Sequence, residues 1–131
     1  MNKITTMLAR ILISLPLLVF GLGHVSNAPM MAGMVPAYVP GGVIWVYITG
    51  VCLLLAAASF ISGKQTRRAG FLAALLLTVF AVTIQLPGMT KTVDATDALG
   101  NAYKMAAFAG FFKDLGLVGA CLLIASTSSA K

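Results

Sequence analysis

A chain of 131 residues that is 60% hydrophobic and 9% charged, with a mean hydropathy of +0.99, cannot fold as an ordinary soluble domain. Such a domain carries about 25% charged residues to clothe its core. The net charge of +6, from nine Lys/Arg against three acids, sorts by loop as in a membrane protein, so nucleic acid is not the expected partner and the lipid bilayer is.

Four apolar stretches, residues 5–24, 43–62, 67–86 and 105–126, take up most of the chain. Each is near the ~20 residues that a helix needs to cross the hydrocarbon core. The connections leave no room for a soluble catalytic domain. The expected fold is all-α: an integral-membrane four-helix transmembrane bundle forming a single domain over residues 1–131.

In the first helix, Pro16 predicts a kink, and Gly21 and Gly23 loosen the outer end. Arg10, Ser14, Leu17, Gly21 and His24 recur at three- and four-residue steps, a small and polar stripe on one face. Ser26-Asn27-Ala28 imitates a signal-peptide cleavage site, but Pro29 disfavours cleavage and the helix is expected to stay. The connection 25–42 has no charge and holds Pro29, Pro36, Pro40 and Tyr38. It reads as an apolar outer loop lying in the interface, with one short helical turn. Its Met30, Met31 and Met34 beside His24 resemble soft Cu(I) ligands, but adaptable hydrophobic filler is the preferred reading and no metal is assigned.

Trp45 and Tyr47 open the second helix where an aromatic belt belongs, and Ser62-Gly63 closes it. Ala74, Thr78, Ala81 and Gln85 form a second small and polar stripe on the third helix, which Pro87-Gly88 should stop; the two stripes facing each other would make a polar seam through the bundle. Residues 89–104 make the one frankly polar loop. In the fourth helix, Gly116-x-x-x-Ala120 fits close helix packing, read as packing within the bundle in preference to a dimer seam, with a homo-oligomer left open. Residues 126–131 should fray. Cys52 and Cys121 lie about 9 Å apart along the membrane normal and are expected to be free thiols.

Lys3, Arg10, Lys64, Arg67, Arg68 and Lys131 gather on one side of this topology. On the other, Lys91 and Lys104 are offset by Asp94 and Asp97. The positive-inside rule therefore puts both termini in the cytoplasm.

Ionisable groups inside a span are costly and mark interior or wet positions. Taking the helices as straight, His24, Tyr47 and Gln85 fall roughly 9–14 Å outside the midplane, and Lys113 and Asp114 about 3–5 Å. Four helices thus offer polar side chains at compatible depth, a candidate seam or quinone contact in the outer half. Lys113 and Asp114 point about 100° apart, so they are not expected to face one partner squarely; the structural reading of the two is a buried ion pair or hydrogen-bonded network, the functional one a proton or quinone contact. Arg10 is either a snorkelling topology anchor or the inner end of the seam. There is no nucleophile triad, no zinc-spaced ligand set and no ligand set for haem, flavin or an iron–sulfur cluster, so no self-contained catalytic constellation and no covalent cofactor is expected.

Leu8-Ala9-Arg10-Ile11-Leu12 running into Phe20-Gly21-Leu22-Gly23-His24, then Tyr47-Ile48-Thr49-Gly50, and finally Phe112-Lys113-Asp114-Leu115-Gly116-Leu117-Val118-Gly119-Ala120 resemble, in order and spacing, the DoxX-like family of small four-helix bacterial membrane proteins. His24 stands where that family usually has Lys, and Asp114 where it usually has Asn. The resemblance implies a multi-pass protein of the bacterial inner membrane. The family is named for a subunit of a thiosulfate:quinone oxidoreductase, which implies an accessory or quinone-contacting subunit of a membrane redox system, at most an oxidoreductase subunit, with a redox partner protein supplying the electrons. Animal relatives act as assembly chaperones, so the alternative is a non-catalytic membrane scaffold or assembly factor.

Overall fold

The structure, a computed structural model, describes residues 2–128; the basic Lys131 and half of the tail expected to fray lie outside them. The described residues form four helices long and apolar enough to cross a membrane: α1 (Lys3–Ser26), α2 (Gly42–Ser62), α3 (Thr66–Thr90) and α4 (Ala98–Thr127). The α1 helix runs unbroken through Pro16.

The bundle is built as two pairs. The α1 helix lies along α2, and α3 along α4, while α2 against α3 joins the pairs. Each pair has a crossing that only a missing side chain permits. A Cβ on Gly50 would come within 2.9 Å of His24 Cβ and 3.1 Å of the Gly21 carbonyl oxygen. A Cβ on Gly70 would come within 2.6 Å of the Cys121 carbonyl oxygen. Backbone contact of this kind is how helices associate where the hydrophobic effect between them is weak. Around these crossings Leu17, Leu53, Ala57, Phe60, Ala74 and Leu77 form the buried core. Leu12, Val19, Leu55, Leu72 and Leu123 point outward and are exposed, an arrangement suited to lipid rather than water.

The pairing corrects two expectations about faces. The α1 stripe of Ser14, Leu17 and Gly21 is sealed against α2, with Ser14 reaching towards the Ala57 carbonyl, rather than facing the α3 stripe. Gly116 and Gly119 do not serve packing within the bundle: a Cβ on either would meet nothing within 4 Å. Ala120 alone of that motif packs against the core.

Two boundaries also differ. Helix α4 starts at Ala98, seven residues before 105, because Asp97 caps it, its carboxylate accepting from the Gly100 N–H at 2.9 Å. Helix α3 passes the expected stop at Pro87-Gly88. A five-residue π turn, Ala81–Gln85, widens the helix there, and Pro87 falls in the first turn of the α-helical segment that follows, Leu86–Thr90. At that position its missing N–H is least costly. The polar loop shrinks to residues 91–97. The loop between α1 and α2 does contain short helical structure, Ala28–Met31 and a 3₁₀ turn Ala32–Met34.

Candidate functional site

A cavity of about 470 Å³ lies between the four helices at the end away from the α2–α3 turn. Of the residues expected to form a polar seam, His24, Gln85, Lys113 and Asp114 line it. Tyr47 does not; it is 43% exposed and turned off the inward face of α2, which Val46, Thr49 and Leu53 supply. Arg10 lies at the far end and is used differently. Its Nε donates to the Phe60 carbonyl at 2.7 Å and its Nη2 to the Ile61 carbonyl at 3.2 Å. The guanidinium thus caps the last turn of α2, where the helix dipole favours a cation.

Lys113 and Asp114 form an ion pair with each other, one of the two readings of the sequence, rather than each meeting a separate partner. Lys113 Nζ is 3.1 Å from Asp114 Oδ1, and the side chains are 36% and 2% exposed respectively. Neighbours on a helix diverge by about 100°, but a long Lys stem can fold back across that angle. The same ammonium sits 3.7 Å from the centroid of the Phe20 ring, a cation–π contact that ties α4 to α1. With α4 beginning at Ala98, the pair lies at the middle of the helix. Among the described residues, no side chain other than Lys113 pairs with Asp114.

His24 is fixed by two contacts. Its Nδ1 is 2.7 Å from the Phe20 carbonyl oxygen, and its ring stacks on Phe80 with centroids 5.7 Å apart and planes 13° from parallel. A carbonyl oxygen only accepts, so Nδ1 carries the proton. In the neutral ring this leaves Nε2 as an acceptor for an incoming hydroxyl.

Gln85 ends the π turn of α3. Such a turn inserts an extra residue and re-aims the side chains after it. Its amide occupies the space that a Cβ on Gly110 would take, 2.8 Å from Oε1. The half-buried Gln85 makes no hydrogen bond among the described residues, so its amide is available to a ligand as both donor and acceptor.

Sequence reasoning missed the apolar part of the site. Phe20, Phe80 and Trp45 line it, and the loop residues Met31, Met34 and Tyr38 contribute to its wall. The loop is held down by Trp45, whose Nε1 donates to the Pro40 carbonyl at 2.8 Å. A signal was present for Phe20, which stands one helical turn before His24 and so shares its face. Chemically, the site is an apolar slot with aromatic faces, one ion pair and two further hydrogen-bonding groups, suited to a flat, largely apolar molecule with a polar edge. Cys52 also lines it and, like Cys121, is a free thiol.

No curated protein and no solved structure matches the chain. One family model does, described as "Domain of unknown function (DUF8561)", over residues 13–110. The match includes His24, Tyr47 and Gln85 and ends short of Lys113. Because it spans most of the sequence, the chain belongs to the DUF8561 family.

Proposed function

We propose that this protein is a quinone-contacting accessory subunit of a redox system in the bacterial inner membrane, a relative of the DoxX-like proteins, with both termini in the cytoplasm. The observation that carries the reading is the buried Asp114 paired with Lys113 on a 470 Å³ cavity beside His24 and Gln85. A quinone ring would stack on the aromatic walls. Lys113 or the Gln85 amide would donate to its carbonyl oxygens, and His24 Nε2 would accept from the hydroxyl of the reduced form. Electrons would come from a partner protein. Loop charge supports the orientation, with Lys3, Arg10, Lys64, Arg67 and Arg68 at one end of the bundle.

Trp45 is the single tryptophan and lines the cavity, so it reports occupancy. Titrating the detergent-solubilised protein with a short-chain ubiquinone should quench its fluorescence saturably. The His24→Leu/Gln85→Leu variant should weaken the apparent affinity at least about tenfold, the loss of one to two good hydrogen bonds. Linear, unsaturable quenching that is identical in the variant would reject quinone binding and return the protein to the scaffold reading.

A further inference from the structure

At the other end of the bundle, the start of α1, the α2–α3 turn and the last turns of α4 enclose a second cleft of about 800 Å³. Three arginines line it, Arg10, Arg67 and Arg68. The chain's three acidic side chains, Asp94, Asp97 and Asp114, are not among its lining residues, so no acidic side chain neutralises them there. Arg10 is committed to the α2 carbonyls. Among the described residues, Arg68 reaches only Gln65 Oε1, at 3.5 Å, and Arg67 donates to no side chain or carbonyl. Both are exposed, with most of their donors unspent.

The cleft has a second, different wall. Ile13, Phe71 and Leu123 line it from α1, α3 and α4. The hydrogen bond from Thr66 Oγ1 to Ser128 Oγ, 2.7 Å, holds the start of α3 to the end of α4 and keeps these walls in place. Two guanidinium forks beside an apolar trough match an amphiphile with a phosphate head. The forks suit phosphate oxygens two at a time, and the trough suits a hydrocarbon chain. Basic pockets between spanning helices on the cytoplasmic side are where phosphate headgroups gather.

We propose that this cleft seats an anionic phospholipid, its phosphate held by Arg67 and Arg68 and an acyl chain laid along Ile13, Phe71 and Leu123. The assignment rests on the helices crossing a membrane and is independent of quinone binding at the other end.

Native mass spectrometry of the full-length protein released from detergent tests it, with phosphatidylglycerol, phosphatidylcholine and inorganic phosphate as separate probes. Wild type should retain phosphatidylglycerol well above phosphatidylcholine. Arg67→Gln and Arg68→Gln should each weaken that retention about fivefold, and the pair together about thirtyfold, the effect of one and two basic groups at a lipid surface. Lys91→Gln/Lys104→Gln removes the same charge at the opposite end and should change nothing. Equal losses in both double variants would reduce the effect to diffuse attraction and overturn the site. So would unchanged retention in R67Q/R68Q. Inorganic phosphate displacing the lipid at equal concentration would reassign the cleft to a soluble anion and overturn the acyl half of the proposal.

Discussion

Asp114 is the most deeply buried charge among the described residues, and its one charged partner is the half-exposed Lys113 beside it. Replacing one member of such a pair leaves the other uncompensated, which costs about 3–5 kcal/mol, whereas replacing both by apolar groups is often neutral. Asp114→Leu should therefore lower stability in equilibrium unfolding in mixed micelles. Lys113→Leu/Asp114→Leu should recover most of the loss, and Asp114→Asn should lie between. If Asp114→Leu unfolds like wild type, the pair does not hold charge in the fold. Arg10 makes a separate residue-scale case. It donates to two of the last carbonyls of α2, next to Gly63, whose φ of +74° ends that helix. Hydrogen bonds from a charged donor are worth about 1.5–3 kcal/mol each. Arg10→Leu removes both and should destabilise by at least about 1.5–3 kcal/mol, read in the same unfolding experiment, and should leave ubiquinone quenching of Trp45 intact.

At the scale of an element, α3 decides where Gln85 goes. Its π turn and the vacancy at Gly110 act together: the first turns the amide towards α4 and the second admits it. Gly110→Val fills that space. Since the displaced atoms end a flexible side chain, the fold should survive with a loss below about 1.5 kcal/mol. Ubiquinone affinity should nonetheless fall, as in Gln85→Leu. A Gly110→Val protein that binds quinone like wild type would show that Gln85 is not a contact. The Asp97 cap is a purely local feature by contrast. Asp97→Ala should cost about 1 kcal/mol, seen as fraying of the first turn of α4 in amide exchange, with no effect on the cavity.

For the whole molecule, the two pairs meet with the arginine-lined cleft at one end and the cavity of His24 and Gln85 at the other. The proposed orientation predicts that a cysteine placed at Gln65, in a Cys52→Ala/Cys121→Ala background, is modified only when a membrane-impermeant reagent reaches the cytoplasmic face. Modification from outside intact cells would invert the topology and move the basic cleft away from the anionic leaflet.

Hydropathy and charge in the sequence were enough for the four helices, because span length and loop charge are local properties that need no partner. The same holds for the short helix in the loop between α1 and α2 and for the cost of burying Lys113 and Asp114. The ends of α3 and α4 were misjudged for local reasons that compete with those signals: a π turn absorbs Pro87, and Asp97 caps a turn with too little apolar character to be noticed. The choice of neighbours was not legible at all. Two stripes of similar composition on α1 and α3 look equally able to face each other, but backbone approach at Gly21 and Gly50 commits α1 to α2. Only packing decides that Tyr47 turns away, that Arg10 caps α2 instead of joining a seam, and that Lys113 meets Phe20 of α1. Helical periodicity fixes which residues share a face; which face meets which is set by the fit of glycines and side chains between helices, and that fit exists only once all four are packed.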